Sequence, residues 1–405
     1  MARRSSKQRR TARRRPQRQS QRSGQLSLAK DLPALELLSE LPEFEDLTPS
    51  AGQTEAFARY CDEVRAREGS SDELELGCVV RLDRGFPAVL TRHEVFRAEF
   101  AARLTKGDFS RVAVGDWVAV RSPHGHDMGL IERILPRESD IARWKGGSRG
   151  ERQTLAANVD VVLVVQALEE WRLTANRVAR TAVVARDCGA RFAVVLTKAD
   201  EADCATIRSS VKLVRDVLGD ECPVAVVASV PAEGEDLEGM GERESAACEA
   251  GAVWGVEGVR DFVPHGSVGM MVGPSGAGKS TLLNALLGRE ALETGAVRES
   301  DGVGRHTTVA RRMVSIPGAG VIVDEPGLRT LQMVGHERGL ALVFPPIAAA
   351  ARSCKFRDCT HTHEPGCAVI AEFGERGSSV RLDTYLALAG EMRESAGTLD
   401  PDVVL

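Results

Sequence analysis

The pattern of apolar and polar positions changes period along the chain. Between residues 72 and 140, apolar runs are short and broken by Gly, Asp or Pro: 78–82, Phe86–Leu90, 112–114, 117–120 and Gly129–Ile134. Close-set short strands with turn residues between them predict a small barrel. Val114-Gly115-Asp116-Trp117 reads as a tight turn between two of them. From Asn158 onward, strand and helix signals alternate. Runs 161–165, 192–196, 224–228 and Val268–Val272 are apolar throughout, as expected of parallel strands covered on both faces. Segments 177–188, 207–218 and Lys279–Leu287 carry helical periodicity, the last closed by Gly288 as a C-terminal cap. Runs 311–316 and 320–323 flank the turn pair Pro317-Gly318. The alternation predicts a doubly wound α/β sheet. Residues 231–252 read as a surface insertion plus a short helix, and the pattern beyond about 335 as irregular or helical.

Ahead of the barrel, residues 26–71 carry weak amphipathic patches at 35–41 and 56–67, read as one or two weak helices and linkers. The first 25 residues hold ten Lys or Arg, no acid and almost no apolar side chain, so they cannot bury enough surface to fold alone. Without those ten, 43 basic residues face 58 acidic ones, a formal −15 hidden beneath the overall −5. A basic arm on an acidic body points to a polyanionic partner for the arm. No apolar run reaches the roughly 18–20 residues that span a bilayer, and no apolar segment follows the basic start as in a secretory signal. A cytoplasmic protein with no membrane partner is the expectation. Six of the nine cysteines are scattered singly, as buried small hydrophobes in a reducing compartment.

Gly273-Pro274-Ser275-Gly276-Ala277-Gly278-Lys279-Ser280 fits the phosphate-loop pattern, between a predicted strand and the helix that Thr281 continues. Its glycines let backbone N–H groups point at phosphate oxygens, and the helix adds the positive end of its dipole. Lys279 is placed for the β- and γ-phosphates and Ser280 for Mg²⁺. Asp324, in Asp324-Glu325-Pro326-Gly327, closes a buried strand where an acid holds the metal through water; Gly327 then offers an N–H to the γ-phosphate. Thr197-Lys198-Ala199-Asp200 follows another strand. A carboxylate at Asp200 accepts from the ring N–H and exocyclic amine of guanine, a donor pair that adenine lacks, while Lys198 lies along the base. Ala228-Ser229 is a weaker fourth contact. The guanine-reading segment precedes the phosphate loop, the reverse of the usual order, which predicts a circularly permuted GTPase core.

Between phosphate loop and Asp324 lies Gly304-Arg305-His306-Thr307-Thr308. Thr308 there ligates Mg²⁺ and senses the γ-phosphate. Leu328 stands where many GTPases carry a water-orienting glutamine, so His306 is the candidate for positioning water, and slow unassisted turnover is expected. The catalytic set is thus His306, Lys279 and Thr308. Near the C-terminus, Cys354, Cys359, His361 and Cys367 form C-x4-C-x-H-x5-C, a closed set for one structural Zn²⁺, with His363 as a competing ligand and Arg352, Lys355 and Arg357 lending a basic surface.

These motifs, with Val114-Gly115-Asp116 and the residues Phe356, Asp358 and Glu364-Pro365-Gly366 around the cysteines, resemble the ribosome small subunit-dependent GTPase A family (RsgA/YjeQ) over roughly residues 74–392. The resemblance implies an N-terminal oligonucleotide-binding (OB) barrel, a central permuted GTPase sheet and a C-terminal helical zinc domain. The corresponding divisions are 1–71 for the basic tail and linker, 72–150, 151–335 and 336–405. It further implies GTP hydrolysis late in assembly of the small (30S) subunit, stimulated by the subunit, with 16S rRNA as partner; a monomer is the separate expectation. Glu325 departs from the small hydroxyl residue more common in that family. A guanylate-kinase-like nucleoside monophosphate kinase is the alternative, since the phosphate loop suits it too. A transport ATPase is disfavoured by the lack of a Leu-Ser-Gly-Gly signature, and a nucleotide-gated RNA-binding module without hydrolysis is a third reading.

Overall fold

The computed structural model describes residues 41–83, 86–105, 112–122, 128–144, 152–169, 173–228, 239–288, 311–325 and 332–396. The basic arm, residues 289–310 with His306 and Thr308, and residues 326–331 with Gly327 and Leu328 lie outside them, as does Ser229.

A helix, α1 (Ala51–Glu68), precedes the barrel. Ser50 caps it by accepting from Gln53 N while the Gln53 side chain returns the bond, and Gly69 ends it at φ 85°. The expected patch at 56–67 falls inside this helix. Five strands follow: β1 (Leu74–Asp83), β2 (Phe86–Leu90), β3 (Val95–Phe100), β4 (Trp117–Arg121) and β5 (Gly129–Ile134), with the short α2 (Ala102–Thr105) after β3. They pair in the order 1-2-3-5-4, and β4 returns to β1, so the barrel closes. Val79, Val89, Phe96, Ala98, Val118, Val120 and Ile131 fill it. A Cβ at Gly129 would lie 2.3 Å from the Phe96 ring, so only glycine lets that ring in. Residues 112–114 do not form the expected strand. Val114 makes one bridge to Ala156, because neighbouring backbone groups serve the turn: Gly115 N donates to Val79 O and Ala113 N to Asp116 Oδ2. The predicted turn is there, with Gly115 at φ 94°.

A hairpin, β6 (Asp140–Trp144) and β7 (Arg152–Ala157), leads into the α/β core. The core comprises β8 (Val161–Ala167), α3 (Ala175–Asp187), β9 (Arg191–Thr197), α4 (Cys204–Leu218), β10 (Val224–Val226), α5 (Met240–Glu249), β11 (Val253–Trp254), α6 (Gly255–Phe262), β12 (Val268–Val272), α7 (Lys279–Leu287), β13 (Arg311–Ser315) and β14 (Val321–Asp324). Its strand order is β11-β10-β9-β8-β12-β14-β13, parallel except for β13. Every residue of β8 is buried. Val162 and Val164 pack with the α3 and α4 side, while Val161, Leu163 and Val165 pack with the α6 and α7 side. That two-sided burial is why the strand reads as an unbroken apolar run. The chain runs outward from β8 to β11, then returns to the other side of β8 as β12, leaving a topological switch point between β8 and β12. The last helices, α8 (Glu337–Val343), α9 (Pro345–Ala351), α10 (Ala368–Phe373) and α11 (Val380–Ala396), carry the cysteine cluster.

Over shared apolar packing, two polar features of the described residues join barrel and core. One is main-chain pairing of β13 with β1, through Arg81↔Arg312 and Leu82↔Arg311. The other is a buried polar clasp. Asn158, at φ 54°, donates from Nδ2 to Gly115 O (2.8 Å) and accepts from the buried Gln53 of α1 (2.9 Å). Arg137 grips the fully buried Asp116 with Nε to Oδ1 at 2.7 Å and Nη2 to Oδ2 at 2.8 Å, and donates to Thr154 of β7. Burial pushes the Asp116 carboxyl upward against the pull of Arg137. The α/β core holds the C-terminal helices in turn. Asp187 at the end of α3 accepts from Gly339 N (2.9 Å) and pairs with His336 Nδ1 (2.8 Å), and Arg180 pairs with Glu391 of α11. Removing one partner of a buried ion pair costs about 3–5 kcal/mol. Arg137→Met is therefore expected to destabilise by about 3 kcal/mol or more in denaturant unfolding, and more than Arg59→Met, whose partner Glu55 is exposed.

Candidate functional site

Parallel strands align their carboxyl ends on one edge of the sheet. The phosphate loop leaves the end of β12, Asp324 ends β14, Thr197 ends β9, and Ala228 follows β10. Segments far apart in the chain are thus gathered at one edge, around the switch point.

The phosphate loop has the backbone its chemistry needs. Gly276 and Gly278 lie at φ 77° and 78°, a region costly for side chains. A Cβ at Gly273 would lie 2.1 Å from Val165 O, so glycine lets the loop start against β8. Ser275 and Gly276 are exposed at the tip, Ala277 is buried beneath, and Pro274, Ser280 and Asp324 are half-buried. Lys279 Nζ lies on the carbonyls of Gly273 (2.6 Å) and Pro274 (2.9 Å), across the mouth of the loop. Helix α7 opens directly behind it, with Ser280 and Thr281 in its first turn.

The guanine-reading segment is fastened to this loop. Thr197 is buried, and its hydroxyl donates to Ala277 O at 2.7 Å, with Gln166 O of β8 at 3.3 Å. One side chain therefore spans the switch point. Ala199 N donates to Val227 O, fixing the segment against the chain leaving β10, and Asp200 is exposed beyond it. Lys198 adopts φ 62° and places Nζ 2.8 Å from Glu169 Oε1, with Glu201 Oε2 at 3.5 Å. The bond that Lys198 donates to Glu169 raises the lysine above its usual range.

The acidic side of the site includes a pair the motif does not contain. Glu325 is buried against Arg311, with Arg311 Nε 2.5 Å from Oε2. Burial raises its pKa, with Arg311 and then Arg143 of β6 acting to lower it. Arg312, opposite Asp324 in register, holds Nε 3.9 Å from Oδ2. Oxygen donors such as the Ser280 hydroxyl and Asp324 carboxylate are the kind Mg²⁺ takes.

Cys354, Cys359, His361 and Cys367 bring their ligand atoms within 4.8 Å of one another. The Cys354 and Cys367 sulfurs are 3.8 Å apart, and each is 3.5 Å from His361 Nδ1. Tetrahedral zinc with bonds of about 2.3 Å to sulfur and 2.0 Å to nitrogen separates its ligands by about 3.8 and 3.5 Å. The cluster can hold a metal of that geometry. His363 is exposed against Thr362 and stands apart from the cluster. Burial raises Cys354, but the Val369 and Ala368 N–H groups and neighbouring thiols bring it below its usual range. Burial lowers His361, keeping the imidazole neutral as a ligand requires. Glu364 stiffens the loop by accepting from the N–H groups of Thr360 (2.8 Å), Thr362 (3.1 Å) and His363 (3.2 Å). The Thr360 bonds draw its carboxyl well below the usual range.

The comparisons with known proteins agree with this geometry. The profile of the RsgA GTPase family matches residues 134–334. The small ribosomal subunit biogenesis GTPase RsgA of Streptomyces avermitilis is 40% identical over 337 residues, covering 82% of this chain and 83% of the relative. The chain belongs to the RsgA GTPase family. The protein of the same name from Leptospira interrogans is 31% identical over 346 residues, covering 85% of this chain and 88% of the relative. Solved structures share this fold. YjeQ from Thermotoga maritima superposes with a TM-score of 0.54 at 21% identity, over 79% of this chain and 99% of its own. YloQ, described as a circularly permuted GTPase, gives 0.52 at 20%, over 80% and 96%. The barrel, the permuted sheet and the C-terminal helices are therefore the fold expected from the sequence.

Sequence reasoning missed Glu169 and Arg311. Each is one charged residue at the edge of an apolar run, with no spacing to mark it. Glu169 was open to inference only from strand adjacency, since it leaves the strand beside the one bearing Lys198. Thr197→Val removes a buried donor and strands the Ala277 carbonyl, a loss of about 1–3 kcal/mol. The expected outcome is a lowered midpoint of thermal unfolding. An unchanged midpoint would mean that the bond does not fasten the two segments.

Proposed function

We propose that the chain hydrolyses GTP in late maturation of the small (30S) ribosomal subunit, binding 16S rRNA and being stimulated by the subunit. The observation that carries this reading is the Thr197–Ala277 bond, which sets a guanine-reading segment against a phosphate loop across the switch point. The names of the relatives supply the ribosomal context. Family membership favours hydrolysis over the guanylate-kinase alternative.

In this reading Asp200 selects the base, with Thr197 and Lys198 beside it. The loop from Gly273 through Pro274, Ser275, Gly276, Ala277 and Gly278 to Thr281 cradles the phosphates, and Lys279 reaches the β- and γ-phosphates. Ser280, Thr308 and Asp324 hold Mg²⁺, which neutralises phosphate charge when bound; Gly327 meets the γ-phosphate and His306 positions water. Cys354, Cys359, His361 and Cys367 hold one structural Zn²⁺. The barrel supplies a nucleic-acid-binding face, and the basic arm adds phosphate contacts that weaken with salt. The protein acts in the cytoplasm as a monomer. Among the described residues no helix is long and apolar enough to cross a membrane. The working divisions are 1–71, 72–150, 151–335 and 336–405. Among the described residues no core strand lies between Asp324 and the C-terminal helices, so loss of the γ-phosphate re-aims those helices and releases the particle.

Turnover of GTP should rise severalfold or more when purified small subunits are added, while ATP is neither bound tightly nor hydrolysed. Asp200→Asn should shift preference toward xanthosine triphosphate. Equal affinity for ATP and GTP in the unaltered protein would refute the base-reading assignment, and phosphorylation of GMP would favour the kinase. Elemental analysis should find about one zinc per chain. Stripping it with a strong chelator should lower the unfolding temperature, and readdition should restore it.

A further inference from the structure

The sheet places the exit of β8 between the exits of β9 and β12, so the residue leaving β8 sits between base-reading and phosphate-binding loops. That residue is fixed by main-chain bonding: Leu168 N donates to Thr197 O at 2.9 Å, setting Glu169 beside Lys198. Glu169 Oε1 then meets Lys198 Nζ at 2.8 Å. Both side chains are largely sheltered, at 19% and 26% exposure, whereas the second acid near the ammonium, Glu201, is 56% exposed at 3.5 Å. Lys198 holds a left-handed backbone at φ 62°, a conformation an L-residue keeps only when its surroundings demand it.

A lysine stem has four rotatable bonds, and laying it along the face of a purine removes most of that freedom on binding. An anchor that already holds the ammonium moves this ordering to the folding step, so it no longer opposes ligand capture. Glu169 is such an anchor. It leaves a different strand than the base-reading segment does, and its carboxylate accepts from the lysine ammonium.

We propose that Glu169 is a positioning residue for guanine recognition, pre-ordering Lys198 along the base and thereby setting nucleotide affinity independently of the number of phosphates. The proposal rests on the GTP-binding reading above. The Glu169–Lys198 bond lies at the base end of the site, so the role proposed is in binding and not in the hydrolytic step.

The test uses the full-length chain, with GDP and a non-hydrolysable GTP analogue as probes. Glu169→Ala should weaken both by the same factor, about tenfold for loss of a charge-assisted bond. KM for GTP should rise while turnover at saturation holds. Glu169→Gln keeps an acceptor oxygen and the side-chain volume, and should fall between the two; it also carries the comparison should the alanine variant misfold. In a Lys198→Ala background, Glu169→Ala should cause no further loss, since the partner it positions is gone. Unchanged affinity in Glu169→Ala would overturn the proposal. So would losses that add fully with Lys198→Ala, or a fall in saturated turnover with KM constant. If the unaltered protein fails to prefer GTP over ATP, the base-reading assignment itself falls, and the proposal with it.

Discussion

The hydrogen bond from the Thr197 hydroxyl to Ala277 O is the constraint on which the site depends. A permuted chain places its base-reading segment 80 residues ahead of its phosphate loop, so no short connection holds them in register. The sheet brings the segments to one edge, but adjacency of strands fixes position only to within a side chain. The threonine removes that slack. It also crowds Gly278, whose absent Cβ would lie 3.3 Å from Thr197 Oγ1, so the loop glycine and the threonine are matched in size. The buried bond is strong because neither partner has water as an alternative.

The same economy appears at the joints between the parts of the molecule. Each is built from few buried polar contacts laid over apolar packing. Asn158 and Arg137 tie α1, the barrel turn and the start of the core together, while Asp187 receives both His336 and Gly339 N from the C-terminal helices. Gly339 permits that approach, since a Cβ there would lie 2.2 Å from Val183 O. Buried polar contacts of this kind specify one arrangement where apolar packing alone would accept several.

Much of the fold was legible in the sequence, for physical reasons that also explain the misses. The parallel strands announced themselves because burial on both faces leaves no room for polar side chains, and β12 and α7 fall at the expected residues. By contrast β3, Val-Phe-Arg-Ala-Glu-Phe, sends Phe96, Ala98 and the half-buried Phe100 inward, with Arg97 and Glu99 between them masking the strand pattern. The β6–β7 hairpin pairs residues such as Arg143 and Gln153 across an exposed face, and α6 contains Gly255 and Gly258, which disfavour helix. The extent of α1 was hidden because its buried set includes Gln53, a polar residue satisfied by Pro136 O and Asn158. The phosphate loop, the Thr197–Asp200 segment and the cysteine cluster were legible because spacing carries their chemistry. Glu169 and Arg311 carry theirs through position in space, which spacing does not record.

Among the described residues, the seam between β1 and β13 is two residue pairs long. A ladder so short leaves orientation to other contacts, and the buried Asn158 and Arg137 bonds supply it. Strand β13 sets Arg312 against Arg81 of the barrel and against Asp324 of β14, so the seam ties the barrel to the strand that ends in the acid of the phosphate site. Seam and clasp act together: the paired strands align the two parts, and the buried side chains hold them at one angle.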